Sequence, residues 1–404
     1  MPDVDRGCRS AAPLRVALVS LATLAASTVC GLLSSPALAG PPQVCWSPAA
    51  LRFKPGEAAI ATNVPQARVA HLRNRRDAGA PAQLWDHRPI RRVNLPPGSR
   101  KLIALTFDLC EQPHEVSGYQ GAIVDYLRDQ SVRATFFSGG KWLLTHQERA
   151  QQIMAGELFE IGNHTWEHRN LRVVSPDVMR SEIWQPQYAY AQVRANLEKR
   201  ACLVSEGNLA HQVAPSRMAL FRFPFGACNP ESMKAVQQAG LRSIQWDVSS
   251  GDAWKLQTAD RMVRDVLKHV SPGSIVLFHA NGRGWHTSEA VPRIVKELRA
   301  RGYELVTVSE LLSAPGAQPV YSDTCYDFKP GDTDRYDALA LRLEQRHGRS
   351  SGAASARPAA LTTEPVTAKK PDPASTPAST TPARTPTSTK AAPKTGWEPR
   401  VIQR

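Results

Sequence analysis

Five short motifs carry most of the chemistry this chain can do. They are Thr106-Phe107-Asp108, His164-Thr165-Trp166-Glu167-His168, Arg222-Phe223-Pro224-Phe225-Gly226, the stretch from Trp246 through Asp247 and Asp252 to Trp254, and Leu277-Phe278-His279. Together they hold carboxylates, two closely spaced histidines, an arginine and a separate histidine. A metal-assisted hydrolase needs this equipment: ligands for a Lewis-acidic ion, a base to activate water and an acid to protonate the leaving group. His164 and His168 stand four residues apart, so on a helical turn or compact loop both imidazoles can reach one ion, and Zn²⁺ accepts such nitrogen ligands. Taken alone, the pair is equally well explained as two surface histidines. Asp108 ends the apolar run from Leu102 to Phe107 and can serve as base, as ligand or as cap of the next turn. His279 ends a similar run and suits a general acid, or a hydrogen-bonded core histidine. Arg222 lies among aromatics in an apolar run. Buried there it needs a carboxylate, because an unpaired buried charge is very costly; Asp252 or Asp247 is expected to supply it. Trp254 and Trp285 can pack in the core or stack on a sugar ring, and Phe225 joins them as a candidate substrate contact.

The elements that must position these residues begin near Lys101. From there β-rich apolar runs alternate with helix-period segments, the pattern of βα units around a parallel sheet. Strands are expected at 102–107, 134–137, 158–161, 220–223, 243–246, 274–278 and 304–307. Helices are expected at 122–130, 148–155, 177–200, 231–239, 259–270 and 288–301. The fold class is therefore α/β, a distorted (β/α) barrel of about seven parallel strands. Asp108, His164, Asp247 and His279 each fall at or just past the C-terminal end of an expected strand, and Arg222 falls within one. In a parallel barrel those ends converge on one mouth, where active sites lie.

The two ends of the chain look different from this core. Residues 1–39 have the layout of a secretory signal peptide: arginines, an apolar run, then Ala37-Leu38-Ala39 as a cleavage site. An uncleaved membrane anchor is the alternative; no other segment is long and apolar enough to span, so the mature chain is expected to have no transmembrane domain. Residues 40–100 read as an irregular lead-in, 101–312 as the barrel and 313–348 as a capping extension with a helix at 336–346. Residues 349–404 are rich in Ala, Pro, Thr and Lys and are expected to be disordered. The net charge is +14, and nine Lys or Arg against three Asp or Glu in this tail supply +6 of it. That surplus suits anionic cell-envelope polymers, or a merely solvated surface, better than nucleic acid, which is not expected as a partner.

Export places the five cysteines beyond the leader in an oxidising compartment. Five is odd, so at least one stays unpaired or pairs between chains. Cys45 and Cys325 flank the barrel and can tie its ends together. Cys110, two residues from Asp108, is expected to enter a disulfide, with ligation of a metal as the alternative.

The motif set resembles the polysaccharide deacetylases of the NodB-homology type, carbohydrate esterase family four, over about residues 101–312, with all five family motifs in order. The resemblance implies a distorted (β/α) barrel, a divalent metal that is usually zinc, and removal of acetyl groups from N- or O-acetylated glycans. It assigns Asp108 as catalytic base, His164 and His168 as metal ligands, His279 as catalytic acid and Arg222 as the arginine that orients the base. Asp252 and Trp254 match the fourth motif, although Ala253 separates two residues that are usually adjacent. The first motif also departs, because the family has Thr-Phe-Asp-Asp with the second aspartate as third metal ligand. Leu109 stands there and has no donor atom. Asp108 itself, Cys110, Glu111 or water are left to complete the shell, and Leu109→Asp is expected to tighten metal binding. The implied function is a periplasmic or secreted hydrolase that deacetylates an amino-sugar polysaccharide such as peptidoglycan, an exported polysaccharide or chitin-like oligomers. The competing readings are a catalytically impaired barrel that only binds glycan, and a barrel tethered to the envelope by its basic tail.

Overall fold

The computed structural model describes residues 45–65, 85–155, 157–205 and 215–325, together with positions 342 and 345. The leader at 1–39 and the tail at 349–404 lie outside the described residues, as does the helix expected at 336–346 apart from those two positions.

Four short strands flank the main sheet. β1 (Ala61–Thr62) pairs antiparallel with β4 (Glu115–Val116), and β2 (Ile90–Asn94) pairs antiparallel with β12 (Gln318–Tyr321). The remaining eight are β3 (Lys101–Leu109), β5 (Ala134–Ser138), β6 (Phe159–Asn163), β7 (Leu220–Phe221), β8 (Arg242–Ser243), β9 (Val248–Ser249), β10 (Ile275–His279) and β11 (Tyr303–Leu305). They form one sheet in the order β8-β7-β6-β5-β3-β10-β9, with β11 against the start of β3. Every pairing in it is parallel.

Alternation along β3 sorts the side chains into two layers. Ile103, Leu105, Phe107 and Leu109 enter the large cluster beneath the helices. Leu102 and Ala104 face a second cluster with Phe137, Leu220, Ile275 and Leu277, the inside of the curl. Helices at Gly121–Asp129, Gln147–Met154, Pro176–Glu198, Ala259–His269 and Thr287–Ala300 bury apolar faces in the first cluster. The helix at Pro230–Gln238, started by an Asn229–Ser232 capping box with Pro230 in its first turn, packs in a third.

The single strand expected at 243–246 is not formed. Instead β8 overlaps only its first residue and β9 lies just beyond its end, two residues each at opposite ends of the strand order, and the residues between them cross the gap where a barrel would close. β2, hidden in the lead-in, fills part of the gap through bridges from Ile90 to Ile244 and from Arg92 to Ser274. Its buried Ile90 and Val93 are separated by two arginines, so it lacks the alternation that marks a half-buried strand.

The disulfides are Cys45–Cys202 and Cys228–Cys325, so the expected Cys45–Cys325 tie is not made. Each outer cysteine is fastened to the core beside it, with Cα–Cα separations of 5.3 and 5.6 Å. Cys110, expected to be bridged, is the free cysteine of the described residues. It is 4% exposed just past the end of β3, and the other four cysteines among the described residues are bonded to one another.

Candidate active site

Asp108 and His279 are brought together by register. The inward alternation of β3 that carries Leu102 and Ala104 reaches Asp108, and that of β10 runs through Ile275 and Leu277 to His279. The parallel pairing sets His279 opposite Asp108, so both side chains emerge on one face at the C-terminal ends of neighbouring strands.

Arg222 follows β7 and is wholly buried. Its carboxylate partner is Asp108, whose Oδ1 accepts from Nη1 at 2.9 Å; neither Asp252 nor Asp247, the expected partners, serves. The guanidinium lies 4.0 Å from the Phe137 ring centroid and 5.5 Å from that of Trp246, and it donates weakly at 3.4 Å to the Ile244 and Gln245 carbonyls. Gly162 makes room for this stack, since a Cβ there would lie 2.7 Å from the Phe137 ring.

His164 and His168 sit on a turn after β6, their ring centroids 4.9 Å apart. Asn163 Oδ1 accepts from Thr165 N, Thr165 Oγ1 accepts from His168 N, and Glu182 Oε2 from the long helix accepts from both Trp166 N and Glu167 N. Burial raises the Glu182 carboxyl to about 7, against the pull of the Glu167 backbone N–H and of Arg169. Thr165, His168 and Phe225 all have left-handed backbones, with φ of 65°, 58° and 60°. Such conformations are uncommon outside glycine, and they cluster at functional sites.

The tautomer of His164 follows from its bonds. Nδ1 lies 2.8 Å from the Arg222 carbonyl oxygen, which can only accept, so Nδ1 carries the proton and Nε2 offers a bare lone pair. That Nε2 is buried, lacks a hydrogen-bond partner and lies 3.4 Å from Asp108 Oδ2. Burial holds the imidazole below its ordinary value, against the pull of Asp108.

The acid candidate is held differently. Asp252 Oδ1 accepts from His279 Nδ1 at 2.8 Å, while Asp252 Oδ2 accepts from His279 N and from Thr287 Oγ1. Burial works to lower the imidazole, but the Asp252 carboxylate, joined by Asp108, outweighs it, and His279 ends above its ordinary value. Asp247, expected at the mouth, lies at the other end of the sheet. It precedes β9 and accepts from Ile275 N and Ser274 Oγ at the start of β10, because the two-strand split displaces it from a strand's C-terminal end.

Cys110, His164 and His168 each bring a ligand atom to within 4.8 Å of the others. Asp108 stands beside this group rather than within it, one oxygen on Arg222 and the other next to His164. Leu109 is fully buried in the outer cluster, on the face opposite Asp108. Glu111, also considered for the shell, bonds Thr145 and lies 3.7 Å from His146. The bare, buried Nε2 of His164, with a second imidazole and a sulfur close by, fits a divalent cation with nitrogen and soft donors.

Of the candidate substrate contacts, Phe225 packs on His168 with centroids 4.4 Å apart. Trp285 is half-buried, its backbone N–H bound to the Asp252 carbonyl, with Lys255 5.2 Å from its ring. Trp254 is half-buried beneath Arg261 and makes no described contact with the other site residues. Four residues that support the site carry no motif: Glu182, Gln245, Asn281 and Thr287. Asn281 Nδ2 donates to both the carbonyl oxygen and the Sγ of Cys110. Its place two residues after His279 was the only signal for it.

Residues 96–244 match the family model described as polysaccharide deacetylase. The chitooligosaccharide deacetylase of Rhizobium leguminosarum bv. phaseoli is 31% identical over 180 residues, 45% of this chain and 68% of that one. A peptidoglycan-N-acetylglucosamine deacetylase of Bacillus cereus is 29% identical over 218 residues, 54% and 90% of the two chains. Among solved structures, a CE4 family pseudoenzyme from Bacillus anthracis covers 56% of this chain and 70% of its own, at 24% identity and a TM-score of 0.44; so loose an overlay bears on neither activity nor residue roles. The parallel sheet and its convergent strand ends define a curled (β/α) scaffold with its candidate site at the C-terminal ends of the strands. The chain belongs to the polysaccharide deacetylase family and is an enzyme of that class.

Proposed function

We propose that the chain is an exported, metal-dependent deacetylase that removes N-acetyl groups from an amino-sugar polymer of the cell envelope. The observation that carries this reading is the register that sets His279 opposite Asp108, next to a bare imidazole nitrogen on His164. His164 and His168 would hold the ion, zinc by the donor set, and it would supply Lewis-acid polarisation of the acetyl carbonyl. Asp108, held by Arg222, takes a proton from the attacking water, whose oxygen bonds to the carbonyl carbon. The C–N bond then breaks, and His279, held by Asp252, gives its proton to the departing amine. Acetate and a free amino sugar leave. Phe225, packed on His168, and Trp285, bonded through its backbone N–H to the Asp252 carbonyl, supply aromatic surface on which a sugar ring can lie. Export is supported by the leader-like first 39 residues, and among the described residues no helix is long and apolar enough to cross a membrane.

Acetate release across peptidoglycan, chitin oligomers and other acetylated polysaccharides tests the reading and ranks the substrates. His164→Ala and His168→Ala should lose bound metal and acetate release together while the fold persists. Wild-type metal content in both variants would overturn the ligand assignment, and absence of acetate from every glycan would leave the binding-only reading in its place.

A further inference from the structure

We infer that Cys110 supplies the third protein ligand of the metal, as a thiolate positioned by Asn281, in place of a carboxylate one residue earlier. The inference rests on the metal-dependent reading above and deepens it. Position 109 is disqualified by geometry as well as chemistry, because its side chain points into the apolar layer under the helices. The next residue on the inward face is two along from Asp108, and that is Cys110.

Three independent observations converge on its sulfur. Sγ lies within 4.8 Å of donor atoms on both His164 and His168. His164 is 99% buried, and its Nε2 lacks a hydrogen-bond partner, with Asp108 Oδ2 3.4 Å away, so a lone pair is left for an ion. Asn281, itself fully buried, donates from Nδ2 to Sγ at 3.2 Å. An amide N–H directed at sulfur orients it, as outer hydrogen bonds do at metal sites generally; burial pushes the thiol itself up, so its proton leaves as the ion binds. The same Asn281 accepts from Arg283 N, and Arg283 is paired with Glu115, so the amide is locked in place. The other four described cysteines are consumed in disulfides, which leaves Cys110 unpaired in an enclosed position.

Two imidazoles and one thiolate make a three-ligand set that leaves coordination positions for water and substrate, as in catalytic zinc sites. A soft sulfur in place of a hard carboxylate biases the site toward zinc over manganese or magnesium. Asp108 is then left to its bond with Arg222 and to proton transfer.

The purified full chain, stripped of metal, is titrated with Co²⁺ and followed in the near ultraviolet, where thiolate-to-cobalt charge transfer absorbs strongly. One Co²⁺ per chain with that band is expected. Cys110→Ser should lose the band and bind zinc at least about tenfold more weakly, and Asn281→Leu should weaken zinc by about 10–100-fold. Cys110→Asp guards against a folding artefact: it should keep an ion without the band and shift preference from zinc toward manganese. Cobalt bound stoichiometrically without the band, in a protein whose Cys110→Ser variant binds equally well, overturns the thiolate assignment alone. A wild-type chain that takes up no ion overturns the metal-dependent reading and this assignment together.

Discussion

Asp252 holds His279 at two points, accepting from ring Nδ1 at 2.8 Å with one oxygen and from the backbone N–H at 2.7 Å with the other. Ring tautomer and ring direction are fixed by the same carboxylate, which leaves Nε2 as the nitrogen able to deliver a proton. Burial and the carboxylates of Asp252 and Asp108 act on this imidazole in opposite senses, and the carboxylates prevail.

The pH profile should therefore respond to Asp252. A raised imidazole keeps its proton above the ordinary value of about 6.5, so turnover in the wild type should fall only as pH rises beyond that. In Asp252→Asn, burial is opposed by Asp108 alone among the carboxylates, and the alkaline limb of kcat should move to lower pH while the maximum rate drops. An alkaline limb left where it was would show that His279 is not the acid.

Arg222 and Asp108 form a buried pair whose members are 0% and 4% exposed. Removing one partner strands the other charge, so Arg222→Met should cost about 3–5 kcal/mol in denaturant unfolding and abolish turnover. The double variant Arg222→Met with Asp108→Asn should regain much of the stability and none of the activity. Equal stability of the single and double variants would mean that the two charges are not coupled.

Leu109→Asp should fail to improve metal binding, contrary to what the first motif alone suggests. The leucine is fully buried among Phe107, Trp142 and Leu143 in the outer cluster. A carboxylate there loses apolar packing and finds no partner, a cost of about 3–5 kcal/mol. Calorimetric zinc titration alongside thermal unfolding checks both halves, and tighter zinc in a stable variant would place residue 109 on the inner face after all.

Peptide mapping without reductant should recover Cys45 linked to Cys202 and Cys228 linked to Cys325, with Cys110 alkylated only after unfolding. Closing loops with sequence separations of 157 and 97, each bridge should contribute about 2–4 kcal/mol. A linked peptide containing Cys110 would rule out its thiolate as a ligand.

The sheet was legible because its strands are buried on both faces and read as unbroken apolar runs, from Leu102 to Phe107 and from Ile275 to Phe278. The motifs were legible because they follow those runs. What escaped depends on pairing between distant segments. Arg222 visibly needed a carboxylate, but only the curl of the sheet selects Asp108 over Asp247 and Asp252. Ile90 and Val93 gave no strand signal, since β2 is specified by the gap it fills. The side of β3 on which Leu109 and Cys110 fall follows from alternation, which a one-residue alignment of motifs ignores. Asn281 and Glu182 bond through amide and carboxylate groups that any surface loop also carries.

One residue sets the distance between the candidate base and the nearest candidate ligand. Arg222 grips Asp108 with its guanidinium and His164 with its own carbonyl oxygen, so the span between them is bridged by covalent bonds within a single amino acid. Positional errors that would add up if each group hung from a separate loop are shared instead. A small slide of β7 carries both attachment points in step, and the active geometry is gauged by the length of one side chain.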